Sequence, residues 1–245
     1  MIVSPSTVAT FAATFGRGAA FMYAAPVISD RTVPAKVRVA TAALIAMAVM
    51  STRPTLAPED ILFVLPAEIL VGLAAGFTGR IVVAGAAAGA ELIGLQLGLG
   101  FAAAYDPSLG EVAMPVRRIV MVLGGLAFVM AGGVEAAVHV MAAAPVPAAA
   151  LPDMMMSVVN QTGTILPVAL RFAAPVLIAA MVANVAMGLM SRAAPGLNVF
   201  SVMLALVMMV GIGVLIATAP AFIRDLQGIG VMSTEAMLPE SMVHP

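Results

Sequence analysis

The sequence predicts an all-α membrane protein, and three features predict it. Sixty-two per cent of the residues are apolar and only 9% are charged. The stretch from Ala193 to Ile223 holds no ionisable side chain, and it exceeds the roughly 20 apolar residues that cross a bilayer core. Prolines divide the apolar sequence into pieces of helical length, because each removes a backbone donor and crowds the preceding turn. A chain of 245 residues has room for six or seven spanning segments on short loops, and no long polar stretch could fold separately in water.

The pieces, in order, are Ser6 to Ala25, Ala35 to Arg53, Ala67 to Tyr105, Val116 to Ala144, Val168 to Ala174, Val176 to Ala194 and Gly196 to Ala219. The first begins without a basic n-region, and its first positive charge, Arg17, lies inside apolar sequence, so no cleaved signal peptide is expected. Ala67 to Tyr105 is too long for one crossing: as continuous helix it would reach about 60 Å, twice the hydrocarbon thickness. It is expected to bend or fold back near Arg80 or its glycines. The same piece carries three Gly-xxx-Gly spacings, Gly72 with Gly76, Gly85 with Gly89 and Gly94 with Gly98. Such spacing clears one helix stripe of side chains and lets another backbone approach, which predicts a tightly packed interface.

Composition excludes several functions. Net charge is −1, with ten arginines and Lys36 scattered along the chain, which is no footprint for nucleic acid. The absence of cysteine removes disulfides, iron–sulfur clusters and thiolate metal sites. His139 is the only histidine before the tail, and neither Gly-x-Ser-x-Gly nor His-Glu-x-x-His occurs, so intramembrane proteolysis lacks its parts. Without a Walker loop, any energy input comes from a partner or an ion gradient. Carboxylates well separated in sequence predict no metal site, and neither an enzyme nor a bound cofactor is expected. The twenty methionines fit either a deformable surface or ordinary lipid-facing positions.

Arg17, Glu68, Arg80, Glu91, Glu135 and Arg171 lie within or at the ends of apolar pieces, where an unpaired charge costs about 3 kcal/mol on insertion scales. They must therefore face protein or water. Glu68, Arg80 and Glu91 are spaced by twelve and eleven residues, too far to pair along one helix, so partners come from other helices or other chains. Glu68 and Glu91 are the most interior, and a proton relay, structural pairing or a water-lined cavity each accounts for them. Basic residues fall on both sides of a seven-span count, so the positive-inside rule leaves the orientation open.

Specific strings resemble the FliR family of flagellar and type III export-gate membrane proteins. They are Arg17 followed by Ala25-Pro26-Val27, Val33-Pro34-Ala35-Lys36-Val37-Arg38, Glu68-Ile69-Leu70-Val71-Gly72, the stretch from Gly89 through Glu91 and Gly94 to Gly98, Asp106-Pro107 with Met114-Pro115, and Ser191-Arg192-Ala193-Ala194-Pro195-Gly196-Leu197-Asn198-Val199-Phe200. They follow the family's order over most of the chain, and the Ser-Arg-x-x-Pro-x-x-Asn-x-Phe string is the most specific. Two departures are visible. Gly132-Gly133-Val134-Glu135 stands where the family shows Asn-Gly-His, and Gly196 replaces a glutamine, with Val202 to Val207 in place of a Gly-Phe-Pro string.

The resemblance implies stacked helical hairpins that pack into a hetero-oligomeric helical export gate, with a gate domain over 1–224 and a short polar tail over 225–245. It implies a non-enzymatic core pore subunit that passes unfolded substrates across the bacterial inner membrane, at the flagellar basal body or the base of a secretion system. The implied partners are membrane subunits of the FliP and FliQ type and an FlhB-type switch protein. Arg17, Pro34, Arg38, Glu68, Gly72, Gly76, Glu91, Gly94, Gly98, Arg192, Pro195 and Asn198 are the expected assembly and packing positions. A reading from a different class is a small proton-coupled secondary transporter using Glu68 or Glu91, against which the absence of a convincing internal repeat counts.

The turn signals Asp106-Pro107 and Gly110 separate two long apolar pieces, and the matching stretch of the family resembles a plug in the closed pore. Asp106, Pro107, Gly110, Val112, Ala113, Met114 and Pro115 are therefore the expected occluding element, Val112 to Met114 supplying its apolar contacts. Shortening the loop from Tyr105 to Pro115 while keeping both flanking helices should permit assembly yet make the membrane permeable to ions. Dye-release or proton-flux measurements check this, and an ion-tight shortened variant would refute it.

Overall fold

A computed structural model describes residues 4–26, 28–29, 33–98, 115–193 and 199–237. Among these residues the fold is all-α, with no strand. The helices are α1 (Pro5–Ala24), α2 (Ala35–Val49), α3 (Ile61–Gln96), α4 (Pro115–Met130), α5 (Gly133–Ala142), α6 (Leu151–Thr162), α7 (Ile165–Ala193) and α8 (Val199–Met237), with 3₁₀ turns at Met50–Thr52, Pro58–Asp60 and Ala148–Ala150. Among the described residues four helical stretches are long and apolar enough to cross a membrane, or five if the bent pair α4–α5 counts as one. Six or seven were expected.

Part of the difference has a physical cause, which also shifts the helix ends. Pro66, Pro175 and Pro220 lie inside α3, α7 and α8 rather than ending them, because apolar helices tolerate the lost donor when neighbours re-satisfy the freed groups. The separate pieces expected on either side of Pro175 are thus one helix. Of the places expected for a bend or fold-back, Arg80 does not interrupt the helix: α3 is continuous over 36 residues, about 54 Å at 1.5 Å per residue, and ends at Gln96, ahead of Gly98. Conversely, the single piece expected from Val116 to Ala144 is broken at Ala131 and Gly132, where α4 and α5 meet at 62° and Gly132 takes a φ of 86°. α8 continues without interruption across the 224/225 boundary.

Local signals set the other ends. Ser4 caps α1, its Oγ accepting from the Thr7 amide at 3.2 Å, and Pro5 supplies a first helical residue that needs no donor. Pro34 precedes α2, and acidic Glu59 and Asp60 in a 3₁₀ turn lead into α3. α3 closes on Gly98, whose φ of 76° is a left-handed conformation that side-chain-bearing residues rarely take.

Contacts divide the chain into two compact units, 1–83 with 125–164 and 229–245, and 84–124 with 165–228. In the first, Phe21, Met22 and Ala25 pack with Ala42, Ala75, Phe128, Ala137 and Val140, and an adjoining cluster joins Ala46, Val49 and Met141. Gly72 and Gly76 place α3 against α1. A methyl at Gly72 would collide with the Arg17 carbonyl oxygen, and one at Gly76 would lie 2.8 Å from the Phe21 carbonyl oxygen. In the second unit Gly85 and Gly89 face α7, where a methyl at Gly89 would meet the Ala169 carbonyl oxygen at 2.6 Å. There Phe172 and Phe222 have ring centroids 4.0 Å apart, and Ala180, Ala183 and Val207 form a small core with Met203.

Because a backbone carbonyl cannot step aside as a side chain can, Gly72→Ala should lower stability by about 1–3 kcal/mol or more. Gly213 lies in α8 with no atom near its missing side chain, so Gly213→Ala should be neutral or stabilising by about 0.5–1 kcal/mol. Thermal unfolding of the two variants in detergent checks the contrast, and equal melting temperatures would refute it.

Candidate functional site

The most buried polar cluster lies in the first unit. α1 carries Thr14 and Arg17 on its inner face, α3 carries Glu68 in its second turn, and the chain leaving α2 delivers Arg53 just after a 3₁₀ turn. Arg17 is 0% exposed, Glu68 1% and Arg53 6%. Arg17 Nη2 donates to Glu68 Oε1 at 2.7 Å, and Arg53 Nη2 donates to Oε2 at 2.9 Å. Arg17 Nε also lies 2.7 Å from Oε2, close enough for an ion pair but not aligned as a hydrogen bond. Arg53 Nη1 donates to the Thr14 hydroxyl at 3.0 Å, while its buried Nε finds no acceptor among the described residues.

Two guanidiniums face one carboxylate, and arginine does not give up its charge in proteins. The remaining positive charge meets the carboxyl end of α5. Arg17 Nη1 donates to the carbonyls of Val140 at 2.9 Å and Ala143 at 2.8 Å, and Nη2 donates to Ala144 at 3.1 Å. The carbonyls of Val140 and of the C-cap, Ala143, are among those a helix leaves unpaired at its end, where the backbone dipoles add to a partial negative charge, and Ala144 follows directly. The planar, forked guanidinium spans a carboxylate and a helix end at once, which an ammonium group does not.

Chemically the cluster holds and positions. Glu68 is engaged on both oxygens and shut away from solvent, so it offers no open face to a proton path among the described residues. Glu91 differs: it lies 3.8 Å from Arg117 Nε, with both side chains more than 40% exposed. Such an exposed pair contributes little to stability.

Other expected positions fall as follows. Arg38 turns back on its own chain, Nη2 donating to the Val33 carbonyl at 2.8 Å and its guanidinium lying 5.6 Å from the Tyr23 ring centre. Pro34 precedes α2, Gly94 is buried in the last turns of α3, Gly98 closes that helix, and Arg192 is exposed in the last turn of α7. Arg80, Glu135 and His139 are exposed. Pro115 opens α4, whereas Asp106, Pro107, Gly110, Val112, Ala113 and Met114, with Pro195 and Asn198, lie outside the described residues. Arg53 and Thr14 were not singled out from the sequence. Arg53 closes an apolar piece ahead of Pro54, where a basic residue reads as an interfacial end, and no spacing ties it to Glu68.

Taking away one member of a buried charge cluster leaves the others uncompensated, at about 3–5 kcal/mol. Glu68→Ala, which strands two guanidiniums, should therefore destabilise more than Arg53→Met, which leaves a one-to-one pair. Arg17→Met should also exceed Arg53→Met, because it additionally strands three carbonyls. Melting temperatures in detergent give the order, and an Arg53→Met effect as large as the other two would contradict it.

Comparison with known proteins places the chain. Residues 8–230 match the sequence profile of the bacterial export proteins, family 1. The chain is 30% identical over 214 residues to the flagellar biosynthetic protein FliR of Escherichia coli (strain K12), covering 82% of this chain and 80% of that protein. It is 28% identical over 225 residues to the protein of that name from Pectobacterium carotovorum subsp. carotovorum, covering 86% of each. With the Caulobacter vibrioides protein of that name it shares 27% identity over 226 residues, covering 83% of this chain and 86% of the other. With its all-α fold of long apolar helices, and a profile match running from α1 into α8, the chain belongs to the bacterial export proteins, family 1.

Proposed function

We propose that this chain is a flagellar export-apparatus component and, more finely, a core pore-forming subunit of the export gate that passes unfolded proteins across the bacterial inner membrane. The observation that carries the reading is the match over residues 8–230 to an export family, together with relatives named for flagellar biosynthesis. In this role the chain is not an enzyme. It joins membrane subunits of the FliP and FliQ type and an FlhB-type switch protein in a hetero-oligomer, at the flagellar basal body.

Two features of the chain support a scaffold that packs with others. Its long helices present large apolar side chains outward, among them Leu62, Phe63, Ile178, Met181, Val182 and Ile216, and lipid or partner helices are the surroundings such faces require. The most buried carboxylate among the described residues, Glu68, is engaged by two arginines rather than left open to exchange protons, which favours a structural role over proton-coupled transport.

Affinity purification from membranes in mild detergent tests the reading. The chain should emerge as a minority component of a large hetero-oligomer, as measured by native mass and subunit ratio. Recovery only as a monomer or homo-oligomer, with ion-coupled uptake of a small solute, would replace it with the transporter reading.

A further inference from the structure

We propose that the break between α4 and α5 is a hinge, and that Arg17 is the latch that holds α5 in its seat. The inference concerns the working of the fold and does not rest on the export reading.

The hinge side is built from three observations. α4 and α5 diverge by 62° across only Ala131 and Gly132. Gly132 has a φ of 86° and provides no side-chain cap for α5, so this residue brings neither a side chain nor a side-chain capping bond to the junction. α5 itself is ten residues long, about half of what a bilayer crossing needs, so tertiary contacts must define its place.

The latch side follows from asking which contacts prefer the seat. α5 buries Ala136, Ala137, Val140 and Met141, and Met141 reaches Gly18 of α1, where its Sδ would lie 3.3 Å from an added methyl. In a membrane, such apolar surface is nearly as content against lipid as against protein, because the hydrophobic effect gives no net drive between helices. The polar contacts do discriminate. Only in the seat do the carbonyls of Val140, Ala143 and Ala144 meet the Arg17 guanidinium, and only there does the excess positive charge of Arg17, Arg53 and Glu68 find the negative end of a helix. Glu135 and His139, the ionisable residues of α5, are exposed and do not join the cluster. Arg17 is thus a positioning residue whose differential contacts set the equilibrium of α5 about Gly132.

The absence of cysteine makes the test direct. Val140→Cys places one thiol at a position that is 0% exposed on α5, and Ala180→Cys places one at an equally buried position of α7. Maleimide labelling of the full-length protein in detergent should be slow at both. Adding Arg17→Gln should speed labelling at Val140→Cys by about tenfold or more through local opening, with Ala180→Cys unchanged. Glu68→Gln, which leaves the three carbonyl bonds of Arg17 in place, should speed it far less. If Arg17→Gln proves too disruptive and exposes both thiols, Arg17→Lys decides. Its ammonium has three donors on one nitrogen and cannot make all four of the bonds that Arg17 makes to Glu68 and the three carbonyls, so faster labelling at Val140→Cys alone supports the latch, and unchanged labelling overturns it. Slow labelling in Arg17→Gln, or equal acceleration by Glu68→Gln, also overturns it.

Discussion

A carboxylate with almost no exposure among apolar helices, Glu68, imposes the constraint on which the first unit is built. Taking a carboxylate out of water costs several kcal/mol even after relaxation, and this is offset only when donors are aimed at its oxygens. Arg17 and Arg53 supply those donors, but together they bring one charge too many. The Thr14 hydroxyl and the carboxyl end of α5 absorb the difference. Each requirement recruits another element, so one acidic side chain fixes where α1, the turn after α2, the start of α3 and the end of α5 must be.

The second unit is held by different physics. Its ion pairs among the described residues, Arg117 with Glu91 and Arg171 with Asp225, are partly exposed and of the kind whose net contribution is small. Close backbone approach takes their place: Gly85 and Gly89 admit Val168, Ala169 and Phe172 of α7, and Gly211 of α8 leaves room for the Leu97 side chain. Van der Waals packing of this sort is what remains to associate helices when lipid is as apolar as the side chains. The first unit also uses it, at Gly72 and Gly76, where the approach of α3 to α1 is the same movement that brings Glu68 to Arg17. Glycine stripe and ion pair are therefore one device there, since Gly72 stands one helical turn beyond Glu68.

Much of this was legible in the sequence. Hydropathy announced a membrane protein without reference to tertiary structure, because the free energy of burying a helix in lipid is additive along the chain. Arg17 and Glu68 stood out because a charge in apolar sequence needs a partner. What escaped was the identity of the partners, since Arg53 and the carbonyls beyond Val140 come from distant segments and a backbone carbonyl has no letter in the sequence. Proline alone does not mark the helix ends: Pro66, Pro175 and Pro220 cost each helix a bond without ending it, whereas Gly132, with no proline beside it, breaks one. The number of helices depended on that distinction, and it is decided by what packs against each break.

The outward faces carry a different kind of information. On α7, Ile178, Met181, Val182, Val185 and Leu189 are exposed at the spacing of one helical face, with no charge among them. Such a stripe specifies that something apolar covers it without specifying what, because lipid tails and a neighbouring helix offer nearly the same transfer free energy. Discrimination must then come from shape, from the small residues that allow close approach, and from the few charges at the margins, such as Arg171 and Arg192, which lipid would penalise and a polar partner would accept. Inside the chain the same division holds: apolar side chains make burial possible everywhere, while Arg17, Glu68, Arg53 and a handful of glycines decide which helix lies against which.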